Sequence, residues 1–307
     1  RVTGGNPSNI LGKLGVLNGN ANLFLLNPKG IFFGPNASLD LGGSFFGTTA
    51  DSFIFNDNFE FSASNPQAVP LLSVNIPIGL RFRDNPGSMN SNASLAVQPG
   101  KSFALVGGNI NLSDGGRLTA SGGSIELGGL AIAGTVGLDV TGNSFKLNFP
   151  TNDLSDITIS NARVQNVVFS GTTGTAGDIK ITTNNLSLIN GGTISASTFG
   201  TGDAGRVFIN ATGDIFIVGE NRNGTSSAIF SQVGENAQGN SGGIEIKTNN
   251  LSLKDGGTIS ATTFTTVGTG DAGRVFINAT GDISAQGESK EGFLSGIFSR
   301  VAENAQG

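Results

Sequence analysis

The chain has 307 residues, 49 of them Gly, with only 13 % charged residues, a net charge of −5, and neither Cys nor His. That composition excludes disulfides, thiolate or imidazole catalysis and Cys/His zinc sites, and it leaves no basic face for nucleic acid. No apolar run approaches the roughly 20 residues of a membrane-spanning helix, and a Gly content well above the average of roughly 7 % suits tight turns rather than helices.

Residues 1–12 read RVTGGNPSNILG, a Gly-rich stretch punctuated by Asn6-Pro7 before an apolar pair. Residues 23–49, LFLLNPKGIFFGPNASLDLGGSFFGTT, set the pattern for the rest of the chain. Three short apolar runs are separated by tight punctuation. Asn27-Pro28-Lys29-Gly30 predicts a type I turn, with Pro pre-set at the second position and Gly at the fourth. Ile31–Phe33 is ended by Gly34-Pro35-Asn36, and Leu39 and Leu41 alternate around Asp40. No run is long enough for a helix. Strands of three to five residues, each ending in a turn, predict a coil in which every strand pairs with the coils above and below.

The segments NPKGI and FGPNASLDLGGSFFGTTA resemble the core of the two-partner secretion domain of the filamentous haemagglutinin family, and residues 1–12 resemble an earlier NPNL-type segment of it. The third residue of each motif departs: Lys29 and Ser8 stand where the family pattern has Asn. The specific motifs span about the first fifty residues, and a weaker pattern runs to about residue 140. The resemblance implies a right-handed parallel β-helix, export through a dedicated outer-membrane pore of a Gram-negative cell, and adhesion afterwards. It also implies a signal peptide and further strands ahead of Arg1. The residues that the resemblance marks for recognition by the export partner are Asn6, Pro7, Asn27, Pro28, Lys29, Gly30 and Ile31. Pro28 and Gly30 also make the turn unaided, so turn chemistry alone and partner recognition both stand.

In residues 51–83, Phe53 and Phe55 alternate before Asn56-Asp57-Asn58 and Phe59 and Phe61 after it, which predicts a hairpin. Pro66, Pro70 and Pro77 make this stretch a poor coil, so it is expected to pack as an excursion on the outside of the main body. Residues 84–94 are polar and read as a loop. From Lys101 the coil pattern returns in SFALVGG, NINLS, GGRLTAS and GGSIELGG; residues 136–149 read as a further strand pair, and the polar residues 151–156 as a boundary.

The second half contains a direct repeat. TNNLSL at 183–188 recurs at 248–253, GDAGRVFINATGDI at 202–215 recurs at 270–283, and ENAQG at 235–239 recurs at 303–307. The period is therefore about 65–68 residues, with the length difference confined to residues 262–269, which a solenoid corner permits. Each repeat divides into two coils of three strands. Alternation places Ile179, Ile181, Leu186, Leu188, Ile194, Val207, Ile209, Ile215, Ile217 and Ile229 inward. Phe208, Phe216, Phe230, Phe276 and Phe298 point outward, either covered by a neighbouring segment or left as a contact surface.

Three chemistries compete with plain corner structure at these residues. GTGDAG at 200–205 and 268–273 partly matches a calcium-binding nonapeptide, but that motif needs copies nine residues apart to assemble its oxygen ligands. Asp203, Arg206 and Asp214, with Asp271, Arg274 and Asp282, could mimic the carboxylate cluster of a polysaccharide-degrading β-helix; near-identical duplication argues for a corner rule instead. Asn-X-Ser/Thr triplets at Asn36, Asn111, Asn185, Asn210, Asn250 and Asn278 are weak glycosylation signals in so Asn-rich a chain.

The expected fold is all-β, a right-handed single-stranded parallel β-helix with an extra-helical hairpin. Residues 1–150 are expected to be the C-terminal part of a two-partner secretion domain and residues 151–307 a repeat shaft. The expected function is that of a non-enzymatic adhesin or fibrous exoprotein, secreted or held at the cell surface by way of periplasm and outer membrane. A carbohydrate-active β-helix enzyme and a passive spacer are the alternatives. No catalytic residue, metal or cofactor is assigned. The partners are an outer-membrane two-partner secretion transporter and cell-surface or extracellular-matrix ligands, with no nucleic acid and no membrane span.

Overall fold

The computed structural model describes residues 1–56, 59–66, 76–264 and 270–302. Its described strands run from three to eight residues, and there is no helix among the described residues. Three parallel sheets of nine, seven and eight strands form the walls of a β-helix; in the first two coils the place of the seven-stranded wall is taken by a separate parallel pair, Lys13–Gly15 with Ser38–Asp40. The register is continuous along the shaft: Ile179 pairs with Val207, Val207 with Ile244, and Ile244 with Val275. Parallel pairing at about 4.8 Å satisfies the backbone from coil to coil, while alternation sends every second side chain inside. All ten positions predicted inward in the repeats are buried and belong to one core cluster. Full burial of each such aliphatic side chain stabilises by about 1.5–3 kcal/mol.

The corners explain the abundance of Gly, Asn and Asp. Where the chain leaves the nine-stranded wall, Asp114, Asn161, Asn190 and Asp255 all adopt positive φ between 48° and 51°. Short polar side chains tolerate that left-handed region. At the opposite corner Asn and Asp form a ladder. Asp156 accepts hydrogen bonds from the Asn184 and Asn185 side chains, Asn185 accepts one from the amide of Asp214, and Asp214 accepts from Asn249 and Asn250.

The excursion is larger than a hairpin. Ser52–Ile54 pairs antiparallel with Glu60–Ser62, as the alternating Phe residues predict. Gly79–Phe82 lies on the other side of Ser52–Ile54 and pairs in turn with Gly134–Thr141, which forms a second hairpin with Ser144–Asn148. This five-stranded sheet covers the outer face of the eight-stranded wall near the chain start. A second core lies between them, built on Leu26, Phe46, Ala104 and Val106 of the wall and Phe53, Leu80, Val136 and Phe145 of the sheet. Phe46 is at its centre, with ring centroids of Phe24, Phe145 and Phe53 at 5.5, 5.2 and 6.0 Å. Wall strands buried on both faces here lose the alternation seen in the shaft. Pro70 and the Asp57-Asn58 part of the predicted turn lie outside the described residues.

One expectation is corrected. Residues 84–94 are not a loop: Met89–Ser91 is a strand of the nine-stranded wall, paired in parallel with Ile31–Phe33 and Ile110–Leu112. With one apolar residue, Met89, turned inward, it carries no periodicity to read. Across residues 151–156 the walls continue without a break, since Ile157–Ser160 pairs with both Ile110–Leu112 and Leu186–Ile189.

The outward rings are partly covered. Phe216, Phe276 and Phe298 are 40, 41 and 37 % exposed. The Arg206 guanidinium lies 4.9 Å from the Phe208 ring and that of Arg274 lies 5.1 Å from Phe276.

Candidate export-recognition corner

The two motifs that carry the resemblance are stacked on one another. Ser8–Ile10 pairs with Ile31–Phe33, so the Asn6-Pro7 corner lies on the coil before the Asn27-Pro28 corner. Asn27 is fully buried and holds the assembly together. Its side-chain amide donates to the Asn6 carbonyl at 3.1 Å and to Ser8 Oγ at 2.8 Å, while its Oδ1 accepts the Lys29 amide at 3.0 Å. The Gly30 amide donates to the Asn27 carbonyl at 3.1 Å, closing the predicted turn, and the Gly30 carbonyl accepts the Ser8 amide at 3.0 Å.

Gly30 has φ +116° and a Cβ there would lie 3.0 Å from the Ser88 carbonyl oxygen, so both backbone and space require glycine. Ile31 is buried in the solenoid core. Pro28 is half-buried, whereas Asn6, Pro7 and Lys29 are exposed. Lys29 forms no ion pair among the described residues. The seven predicted residues thus lie together on two stacked corners but divide by exposure: Asn27, Gly30 and Ile31 face inward contacts, and Asn6, Pro7 and Lys29 face solvent.

A third corner of the same kind carries no expectation from the sequence. Asn85-Pro86-Gly87-Ser88 precedes Met89 with the spacing of Asn27-Pro28-Lys29-Gly30 before Ile31, and it sits on the next coil. The Gly87 amide donates to the Pro28 carbonyl at 3.1 Å, and the Ile31 amide to the Ser88 carbonyl at 3.2 Å. A Cβ on Gly87 would overlap the Gly30 amide nitrogen, so the two turns are in direct backbone contact. The repeated Asn-Pro-x-x-apolar spacing could have revealed this corner.

A cleft of about 370 Å³ opens beside the stack, between residues 2–5, Pro28-Lys29 and the edge of the five-stranded sheet. Its far wall is fixed by Asp51, a buried carboxylate. Asp51 accepts from Ser62 Oγ at 3.0 Å and from Ser64 Oγ, and pairs with Arg83 Nε at 2.9 Å. Arg1 crosses from the first coil to the sheet, donating to the Ser62 carbonyl at 2.8 Å with its guanidinium over the Phe61 ring.

The residues that suggest other chemistry are engaged elsewhere. Arg206 pairs with Asp178 at 3.3 Å, not with Asp203 or Asp214. Asp203 accepts both nitrogens of Asn240, and Asp214 belongs to the corner ladder. Among the described residues no three carboxylates lie close enough to hold a metal ion; Gly268 and Thr269 of the second GTGDAG copy lie outside them.

Compared with known families, residues 1–181 match the TPS secretion domain. No curated protein matches the chain. The match covers more than half of the 307 residues and contains all three stacked corners, so the chain belongs to the TPS secretion domain family, whose members are secreted by a two-partner system.

Proposed function

We propose that the exposed edge of the stacked corners, with Lys29 at its centre and Asn6 and Pro7 beside it, is the surface that the outer-membrane transporter recognises during passage from periplasm to cell exterior. Asn27, Pro28, Gly30 and Ile31 shape that edge from within. One observation carries this reading: within the second corner Lys29 alone points a charged side chain to solvent while its neighbours are tied into the coils on either side. Lys29 also replaces the Asn of the family pattern, so the edge carries a positive charge that an acidic partner surface would complement. We read residues 1–150 as the recognised part and residues 151–307 as a shaft, in a non-enzymatic surface adhesin. The engagement of Asp203, Arg206 and Asp214 in separate corner contacts favours that over polysaccharide cleavage.

The test is secretion of the full-length protein with its cognate transporter. Lys29→Glu is expected to lower secretion severalfold while leaving the denaturation midpoint of the purified 307-residue chain unchanged. Asn27→Ala is expected instead to lower the midpoint, because it strips several hydrogen bonds from a buried site, at about 1–3 kcal/mol. Undiminished secretion of Lys29→Glu would remove the recognition role.

A further inference from the structure

In a solenoid each coil ordinarily touches only its neighbours. The corner between the nine- and seven-stranded walls departs from this in alternate coils. It is tight after Leu186–Ile189 and after Leu251–Lys254. In the coils between, it opens into residues 219–227 and 287–295, each closed by an isolated antiparallel bridge, Glu220 to Ser226 and Glu288 to Leu294.

Both loops fold back over the tight corner that precedes them. Ser227 Oγ accepts the Gly191 amide and Ser295 Oγ accepts the Gly256 amide, each at 3.0 Å. A Cβ on Gly256 would lie 2.7 Å from Ser289 Cβ, so the second loop rests directly on that glycine. Each loop then reaches one coil further. Asn221 donates to the Asn161 side chain at 3.1 Å, two coils back. Lys290 Nζ lies 3.5 Å from Glu220 Oε1, loop to loop across the intervening coil. The Glu291 carboxylate also lies against Gly224, 2.8 Å from where a Cβ would stand. The Glu220 side chain is only 6 % exposed, and its Oε2 has no hydrogen-bond partner among the described residues. A desolvated carboxylate of this kind needs a cation more than an open one does.

We infer that these loops form an axial strap: a head-to-tail interaction surface whose partner is the same loop of another copy of the repeat. The sequence is built for it. Glu220 is followed two residues on by Arg222, and Glu288 by Lys290, so each loop offers a carboxylate to the loop after it and a cation to the loop before. Glu288 is exposed, has no ion pair among the described residues, and stands where the next copy's lysine would arrive. The strap couples coils that do not touch through their walls, and makes the two-coil repeat rather than the single coil the unit that opens.

Hydrogen exchange of the Ser289, Gly292 and Ser295 amides, which close the second loop, tests this on the 307-residue chain. Lys290→Glu and Glu220→Lys alone are each expected to speed exchange by about fivefold, the scale of one well-placed ion pair. The double variant, with the charges exchanged, is expected to recover most of the protection. Exchange in the double variant as fast as in the singles would overturn the charge coupling. A chain lengthened by a second copy of residues 240–307 after Gly307 tests propagation: the same amides should slow, and should not when the added copy carries Glu at its Lys290 position. Unchanged exchange in the lengthened chain would overturn the repeat-to-repeat surface.

Discussion

At the scale of the residue, burial separates side chains that look alike in the sequence. Asn6 and Asn27 each precede a Pro in similar motifs, yet the register that pairs Ser8 with Ile31 sets Asn6 level with Lys29, and Asn6 is exposed while Asn27 is fully buried with its amide shared between Asn6 and Ser8. Glu126 is a second case. It projects from the outer face of the eight-stranded wall, where alternation predicts solvent, but the hairpin of residues 134–148 lies over that face and buries it. Burial raises its pKa to about 7, against the opposing pull of Lys180 at 3.2 Å. A carboxyl whose folded pKa lies above its unfolded value binds its proton more tightly in the folded state. Its contribution is therefore fully present below the unfolded value of about 4.5 and is lost as pH rises through about 7. Glu126→Gln should remove this loss. Denaturation of the two proteins from pH 4 to 8 should show the variant gaining on the parent through that window, by up to about 3 kcal/mol, and no further above it. Parallel pH profiles would show that Glu126 titrates in the fold as it does in the unfolded chain.

At the scale of the element, the five-stranded sheet depends on one aromatic layer. Phe46 is fully buried between wall and sheet, in contact with rings from both. Phe46→Ala leaves a cavity there, and a change of this kind costs about 3–5 kcal/mol. The loss should be local. Amides of Ser52–Ile54, Gly79–Phe82 and Gly134–Thr141 should exchange faster, while those of Leu186–Ile189 and later wall strands keep their protection, because the repeats draw on the separate inner core. Loss of protection along the whole chain would mean that the two cores open together.

At the scale of the whole molecule, stability should vary along the axis. Ile209 and Ile277 occupy equivalent inward positions, but Ile209 has coils on both sides and is buried, whereas Ile277 is only partly buried in the last described coil. An Asp at either site places a charge without a partner in the core, at a cost of several kcal/mol. With Ile209→Asp that cost falls on the shaft interior, and amides of the coils above and below should lose protection together. With Ile277→Asp the terminal coil can separate, and the loss should be confined to residues after about Ile244. Equal loss along the chain for both variants would contradict a solenoid held by neighbour contacts.

Much of this architecture is legible in the residues themselves. Period-two alternation bounded by Gly, Asn and Asp identifies the coils, and the inward Ile, Leu and Val positions are determined because a wall strand with one solvent face has only one way to place them. The internal repeat sets the pairing of coils, and the Phe residues around Asn56 mark the hairpin. Asn27-Pro28-Lys29-Gly30 declares its turn because Pro and Gly restrict the backbone locally. Other features are decided only in three dimensions. The strand at Met89–Ser91 has one inward apolar residue and is specified by its partners on either side, not by a pattern of its own. Residues 134–148 join a sheet begun some eighty residues earlier, the burial of Glu126 results from that docking, and the loops at 219–227 and 287–295 cross a coil to reach one another. Each of these rests on contacts between segments far apart in the chain, whose energies depend on shape and desolvation at the meeting surface, and local periodicity carries no record of either.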